Sequence, residues 1–167
     1  SEGIQGNNIS YFQSDMNFKL GNFQKAIDLG LEKLPKSNAH ERSQLNKIIG
    51  ESYFNLKDYT SAIQYLKDYK GDRGKWNNTD YYQLGYAYYQ TGQYELAIDE
   101  FSKILDGQDF VAQNAYYHLA KAYLKTDKKI QALNAFKNVT EMNFDDKLKE
   151  DAYLNYAKLS YEIGNTY

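Results

Sequence analysis

Apolar and polar positions along this chain keep the beat of helices laid face to face. Tyr81, Leu84, Gly85 and Tyr88 fall at i, i+3, i+4 and i+7, which gathers them on one side of a helix. Ala97, Phe101, Ile104 and Leu105 repeat the pattern on a second helix. Between the two lies Gly92, where a chain reversing between antiparallel helices needs a residue that tolerates positive φ. Gly21 and Gly164 hold the equivalent place elsewhere, and Lys57 and Asp127 hold it at two further turns, which are expected to be the less ideal ones.

The pattern recurs at a fixed step. The phrase "aromatic, two residues, Ala, Ile or Leu" runs from Phe23 to Ile27, Tyr59 to Ile63 and Tyr94 to Ile98, with a fourth copy surviving at Ala132-Leu133. Its alanines, Ala26, Ala62, Ala97 and Ala132, are spaced by 36, 35 and 35 residues. A second column of small residues, Ser14, Gly50, Gly85, Ala120 and Ala157, steps by 36, 35, 35 and 37. A constant period of this size marks stacked supersecondary units, and small residues in both helices of a pair let them approach closely. Helix starts are predicted at Asn38 with Glu41 three residues on, at Thr79 or Asp80, at Asp109, and at Asp145 or Asp146. The polar loop Lys70 to Lys75 ahead of Trp76 is expected to be the most mobile linker.

The third unit, Tyr82-Gln83-Leu84-Gly85-Tyr86-Ala87-Tyr88-Tyr89-Gln90-Thr91-Gly92-Gln93-Tyr94-Glu95-Leu96-Ala97-Ile98, resembles a tetratricopeptide repeat almost residue for residue. The resemblance extends from about Ile9 to the C-terminus, and the first unit is recognisable mainly by Gly21 to Ile27. It implies an all-α fold, a right-handed α-α superhelix, or solenoid, of about four and a half helix-turn-helix repeats. Their expected bounds are 8–37, 38–74, 78–108, 110–144 and a half repeat at 147–167, within one domain. The family usually closes each unit with a proline, whereas the sole proline here is Pro35. The longer step and variable loops resemble bacterial envelope-associated members. Because the fifth unit stops at Gly164-Asn165-Thr166-Tyr167, where a second helix is expected, the chain reads as a fragment of a longer array, with self-association through the cut end as a consequence.

Composition narrows the function. The 20 basic and 22 acidic residues leave a net charge of −2, without a basic block of the kind that tracks a phosphate backbone, so nucleic acid is not expected as a partner. There is no cysteine for a thiolate nucleophile or a zinc-thiolate site. Apolar runs are broken far short of the ~18 residues a membrane span requires. The start, Ser1 to Gly6, has neither a Met nor an apolar h-region and reads as processed. A soluble protein is expected, with bacterial periplasm or cell envelope favoured over cytoplasm.

No catalytic, cofactor or metal constellation stands out. His40 and His118 lie far apart, outside any metal-ligand spacing, and read as surface residues. The acidic pairs Asp145-Asp146 and Glu150-Asp151 sit at a helix start, where negative charge favours the dipole. Gly71 to Lys75 lacks the spacing and hydroxyl of a nucleotide-binding loop. Asn-x-Ser/Thr matches at Asn8, Asn77 and Asn138 are unremarkable in an Asn-rich chain.

Resemblance to the family places the first helix of each unit along a concave groove. The helical phase then selects Tyr11, Asp15, Phe18, Lys47, Glu51, Phe54, Tyr82, Tyr86, Tyr89, Tyr117, Lys121, Leu124, Lys125, Lys158 and Tyr161 as groove-lining. His118, Lys121, Lys125 and Lys158 make one end basic, so the groove suits a protein or peptide partner with acidic groups. Lys47 is followed one turn later by Glu51, which disfavours the carboxylate-gripping arrangement of the chaperone-binding members. Two other readings stay open. One is a structural spacer or self-assembly segment of a larger envelope protein. The other is glycan binding through the aromatic groove, with Trp76 and the tyrosines as stacking surfaces.

Overall fold

The computed structural model describes residues 2–104 and 106–166, with residues 2–10 and 166 described by backbone alone. Leu105 and the Asn8 side chain therefore lie outside the described residues. The described chain is helical, with nine α-helices, two short 3-10 turns and no strand. It divides into two compact units, one ending at Trp76 and one beginning at Asn77.

The first unit holds α1 (Glu2–Lys19), α2 (Phe23–Lys33) with a 3-10 turn (Leu34–Lys36), α3 (Ala39–Asn55) and α4 (Tyr59–Leu66). The second holds α5 (Asn78–Gln90), α6 (Tyr94–Phe101) with a 3-10 turn (Ser102–Ile104), α7 (Phe110–Lys125), α8 (Lys129–Thr140) and α9 (Asp146–Thr166). Within each unit, consecutive helices pack as hairpins.

The turns α1–α2, α3–α4, α5–α6 and α7–α8 share one geometry. Gly21, Lys57, Gly92 and Asp127 take positive φ of 81°, 63°, 77° and 58°. The amide that follows each one reaches back five residues: Asn22 to the Asn17 carbonyl, Asp58 to Tyr53, Gln93 to Tyr88 and Lys128 to Tyr123, at 2.8, 3.0, 2.9 and 2.8 Å. This bond satisfies a carbonyl that the helix end would otherwise leave bare. Lys57 and Asp127 thus adopt the backbone that glycine adopts at the other two turns, at a steric cost glycine avoids.

Helix starts follow side-chain capping, with one shift from the sequence reading. Asn38, Asp58 and Asp109 accept from the amides of Glu41, Ser61 and Ala112. The cap of α5 is Asn77 rather than Thr79 or Asp80. Asn77 accepts from the Asp80 amide and Asp80 returns the bond to the Asn77 amide, a reciprocal capping box. At α9, Asp145 receives the Leu148 amide at 3.1 Å.

The small-residue columns mark places where paired helices pack closely. A Cβ built on Gly50 would stand 2.8 Å from the Leu66 side chain, and one on Gly85 would stand 2.8 Å from the Phe101 ring. Ala26, Ala62, Ala97, Ala120 and Ala132 are fully buried. In the first unit they frame a core of Ile27, Leu45 and Ile49, flanked by Tyr11, Leu31, Leu34, Tyr53 and Tyr65. Ala157 departs from its column, being exposed on α9, whose buried residues are Ala152 and Leu159.

Two further expectations change. Gly164 does not turn the chain, because α9 continues through it to Thr166 without a positive φ. The loop expected to be loosest closes on itself. Asp72 and Lys75 exchange backbone bonds at 2.9 and 3.0 Å, and the Trp76 indole donates to the Tyr69 carbonyl at 2.8 Å.

The second unit carries one polar residue deep in its packing. Gln113 on α7 is fully buried. Its amide nitrogen donates to the carbonyls of Val139 (3.2 Å) and Met142 (2.8 Å), and its oxygen accepts from the amides of Phe144 (3.3 Å) and Asp145 (2.7 Å). One side chain thereby ties the α8–α9 connection to α7.

Candidate functional site: an aromatic face on α5 and α7

The sequence-selected residues of the second unit converge on His118. On α5, Tyr82, Tyr86 and Tyr89 are three or four residues apart, so they share a helical face. Their ring centroids lie 6.1, 5.0 and 5.6 Å from that of His118 on α7, each edge to face. Tyr82 and Tyr86 are 5.8 Å apart. Tyr117 meets His118 edge-on at 5.3 Å, and the Lys121 ammonium lies 5.3 Å from the Tyr117 ring.

His118 is therefore no ordinary surface residue, in contrast to the sequence reading. Burial pushes its pKa down, the hydrogen bond to the Asn114 carbonyl opposes this, and the Lys121 charge lowers it again. The Asn114 carbonyl lies 2.8 Å from Nδ1 and can only accept, so Nδ1 carries the proton of the neutral ring and Nε2 is left as an acceptor. A neutral His118 adds nothing to the positive charge expected at this end. That charge rests on lysines: Lys121, partly exposed, with Lys125 and Lys158 exposed.

Tyr117 plays a different part from its neighbours. It is buried, packs edge-on against Phe136, and its hydroxyl donates to the Asp151 carboxylate on α9. Burial, then that hydrogen bond and the Asp151 charge, push its phenol pKa far up, so it stays protonated. It anchors α9 to α7 beneath the face. Tyr82, Tyr86 and Tyr89 are only partly buried and present ring surface. Lys158 and Tyr161 lie on α9, with Tyr161 largely exposed.

In the first unit the selected residues do not gather into one cluster. Tyr11 packs against the core, Phe18 meets Phe23 at 5.8 Å, and Phe54 meets Tyr59 at 5.5 Å. Lys47 lies 3.8 Å from Glu51 and 5.0 Å from the Tyr69 ring centre, held between an acid and a ring. Trp76 is stacked on Tyr69 and its N–H donates to the Tyr69 carbonyl, so one indole face and the ring nitrogen are engaged. Among the described residues no group of His, Cys, Asp or Glu could hold a metal ion, and no helix is long and apolar enough to cross a membrane.

Two tetratricopeptide repeat profiles match the chain, one over residues 81–106 and 113–146 and the other over residues 48–72, together just over half its length. The chain belongs to the tetratricopeptide repeat family. Solved structures agree on the fold. A mutant form of MamA superposes with a TM-score of 0.76 at 16% identity, over 95% of this chain and 83% of that one. A Podosopora anserina kinesin light chain with nearly identical TPR-like repeats gives 0.62 at 14% identity, over 95% and 86%. A thermophilic TPR protein from Thermus thermophilus gives 0.55 at 18%, over 96% and 84%. No curated protein matches the sequence. The tetratricopeptide fold is that of an interaction scaffold, and the chain is all-α throughout its described residues.

Proposed function

We propose that this tetratricopeptide chain is a non-catalytic adaptor that holds a protein or peptide partner on the α5–α7 face. The observation that carries the reading is the clustering of Tyr82, Tyr86 and Tyr89 around His118, with Lys121 against the ring of the adjoining Tyr117 and its charge felt at His118. Rigid aromatic rings supply contact area at small entropic cost, and a lysine at their edge draws a carboxylate. The partner is a peptide segment with apolar and acidic side chains. Lys125, Lys158 and Tyr161 extend the reading within the second unit, and Tyr11, Phe18, Lys47 and Phe54 are the partner-contacting candidates of the first unit, taken by itself. The period of 35 to 36 residues supports a bacterial setting, in periplasm or envelope.

The test is affinity capture from bacterial envelope and cytosolic extracts, comparing the parent with a Tyr82→Ala, Tyr86→Ala, Lys121→Glu variant of matched melting temperature. A protein retained by the parent and lost by the variant supports the reading. Equal retention by both removes it.

One observation favours self-assembly as a second reading. Phe12 and Met16, one turn apart on α1, and Leu20 just past its end are exposed apolar residues, and Tyr153, Leu154 and Tyr161 are exposed on α9. Sedimentation across a concentration series separates the two readings. Association abolished by Met16→Lys or Leu154→Lys supports self-assembly, and a monomer at all concentrations excludes it.

A further inference from the structure

A second feature of the first unit lies outside the groove. The position four residues before each small-column residue holds Ser10, Asn46, Tyr81, Tyr116 and Tyr153. Tyr81 and Tyr116 put a half-buried ring there. Asn46 puts a short amide in that place, and two adjoining cavities of about 420 and 400 Å³ open beside it.

Asn46 is 5% exposed and its side chain makes no hydrogen bond among the described residues. No buried side-chain nitrogen or oxygen there lacks both a partner and solvent contact, so the Asn46 amide meets the cavity rather than the packed interior. The amide donor and acceptor thus face the open cavity, where water pairs with them in the free protein and a ligand's polar groups can take that place.

The same two cavities are both lined by Arg42 and Asp68, exposed side chains that form no ion pair with each other or with any other described residue. Lys70 joins them at one opening, while Leu31, Leu34 and Pro35 form an apolar wall at the other. Opposite charges held apart around an unpaired amide and an apolar wall describe a particular occupant.

We infer that this cavity takes a short zwitterionic peptide, a di- or tripeptide. Its carboxylate pairs with Arg42 and Lys70, its ammonium with Asp68, its peptide unit with the Asn46 amide, and one aliphatic side chain lies on Leu31, Leu34 and Pro35. The site is separate from the α5–α7 face and stands or falls independently of it.

The experiment is NMR titration of the full chain with leucyl-glycine, following the Asn46 side-chain amide. The expected result is a saturable shift with a dissociation constant on the order of 1 mM. N-acetyl-leucyl-glycinamide, which lacks both charges, should bind at least tenfold more weakly. Asn46→Tyr restores the ring of the other units, so it should fold as well as the parent and lose the shift of the neighbouring backbone amides. Arg42→Ala, a surface change, should weaken binding at least tenfold, and Tyr86→Ala should leave it unchanged. No saturable shift with leucyl-glycine, equal binding of the capped dipeptide, or unaltered binding by Arg42→Ala would overturn the inference.

Discussion

Gly85 on α5 lies so close to Phe101 on α6 that an added Cβ would stand 2.8 Å from the ring and 3.2 Å from the Glu100 side chain. Phe101 is itself fully buried, so the ring has little room to retreat. Gly85→Ala is expected to lower stability by about 1–3 kcal/mol through overpacking, and Gly85→Leu by more. Chemical denaturation of the two variants checks this, and an unchanged midpoint for both would contradict close packing along the small-residue column.

The four turns of shared geometry predict gains as well as losses. Lys57 and Asp127 occupy the left-handed region that Gly21 and Gly92 occupy at the equivalent turns. Lys57→Gly and Asp127→Gly should each raise stability, by roughly 1 kcal/mol at most, because the steric cost of a side chain in that region disappears. The reverse change, Gly92→Ala, should cost a similar amount. Thermal melts of the three variants give the signs directly.

Gln113 should be among the most sensitive polar residues. Gln113→Leu would strand the Met142 carbonyl and the amides of Phe144 and Asp145, and would leave the Val139 carbonyl with only the Met142 amide. A loss of about 3 kcal/mol is expected. Hydrogen exchange should report it first at Phe144 and Asp145, ahead of the α5–α6 hairpin.

His118 makes stability depend on pH. Its folded pKa lies below its ordinary value, so the unfolded chain takes up the proton first as pH falls. Stability is therefore fully present above about 6.5, the ordinary histidine value, and declines as pH drops through it toward the folded pKa. The groups facing the ring are Tyr82, Tyr86, Tyr89 and Tyr117, with Lys121 as the charged neighbour. Comparing melts at neutral and mildly acidic pH, His118→Phe should show a smaller acid-induced drop than the parent. An identical drop in both proteins would place the pH sensitivity elsewhere.

The periodic features were legible in the sequence because they repeat. Gly50, Gly85, Ala62, Ala97 and Ala132 stand out by their common step, and each is buried where helices pack. What lacked a repeat was harder to read. The run Asn77-Asn78-Thr79-Asp80 offers several capping residues in succession, and only the reciprocal bond between Asn77 and Asp80 decides among them. Gly164 looks like the turn glycines, but glycine is also accommodated within a helix, and α9 runs through it. The surroundings of His118 come from tyrosines about thirty residues away on α5, a proximity visible only once α5 and α7 are packed together. The groove tyrosines share a helical phase, but phase alone does not separate Tyr117, buried and bound to Asp151, from Tyr86, which offers its ring. At Asn46 a signal was present, a short residue in a column otherwise rich in tyrosine, and its meaning emerges only with the cavity beside it.

The central claim is that the α5–α7 face holds a peptide through its rings and lysine. Its most direct test is a peptide array of aromatic-acidic, aromatic-neutral and aromatic-basic sequences, probed with the parent and with a Tyr86→Ala, Lys121→Glu variant of matched stability. The account predicts that the parent prefers the acidic sequences, with binding that weakens as salt is raised, and that the variant loses both the signal and the preference. Equal binding of all three classes by the parent, or an undiminished acidic preference in the variant, would contradict it.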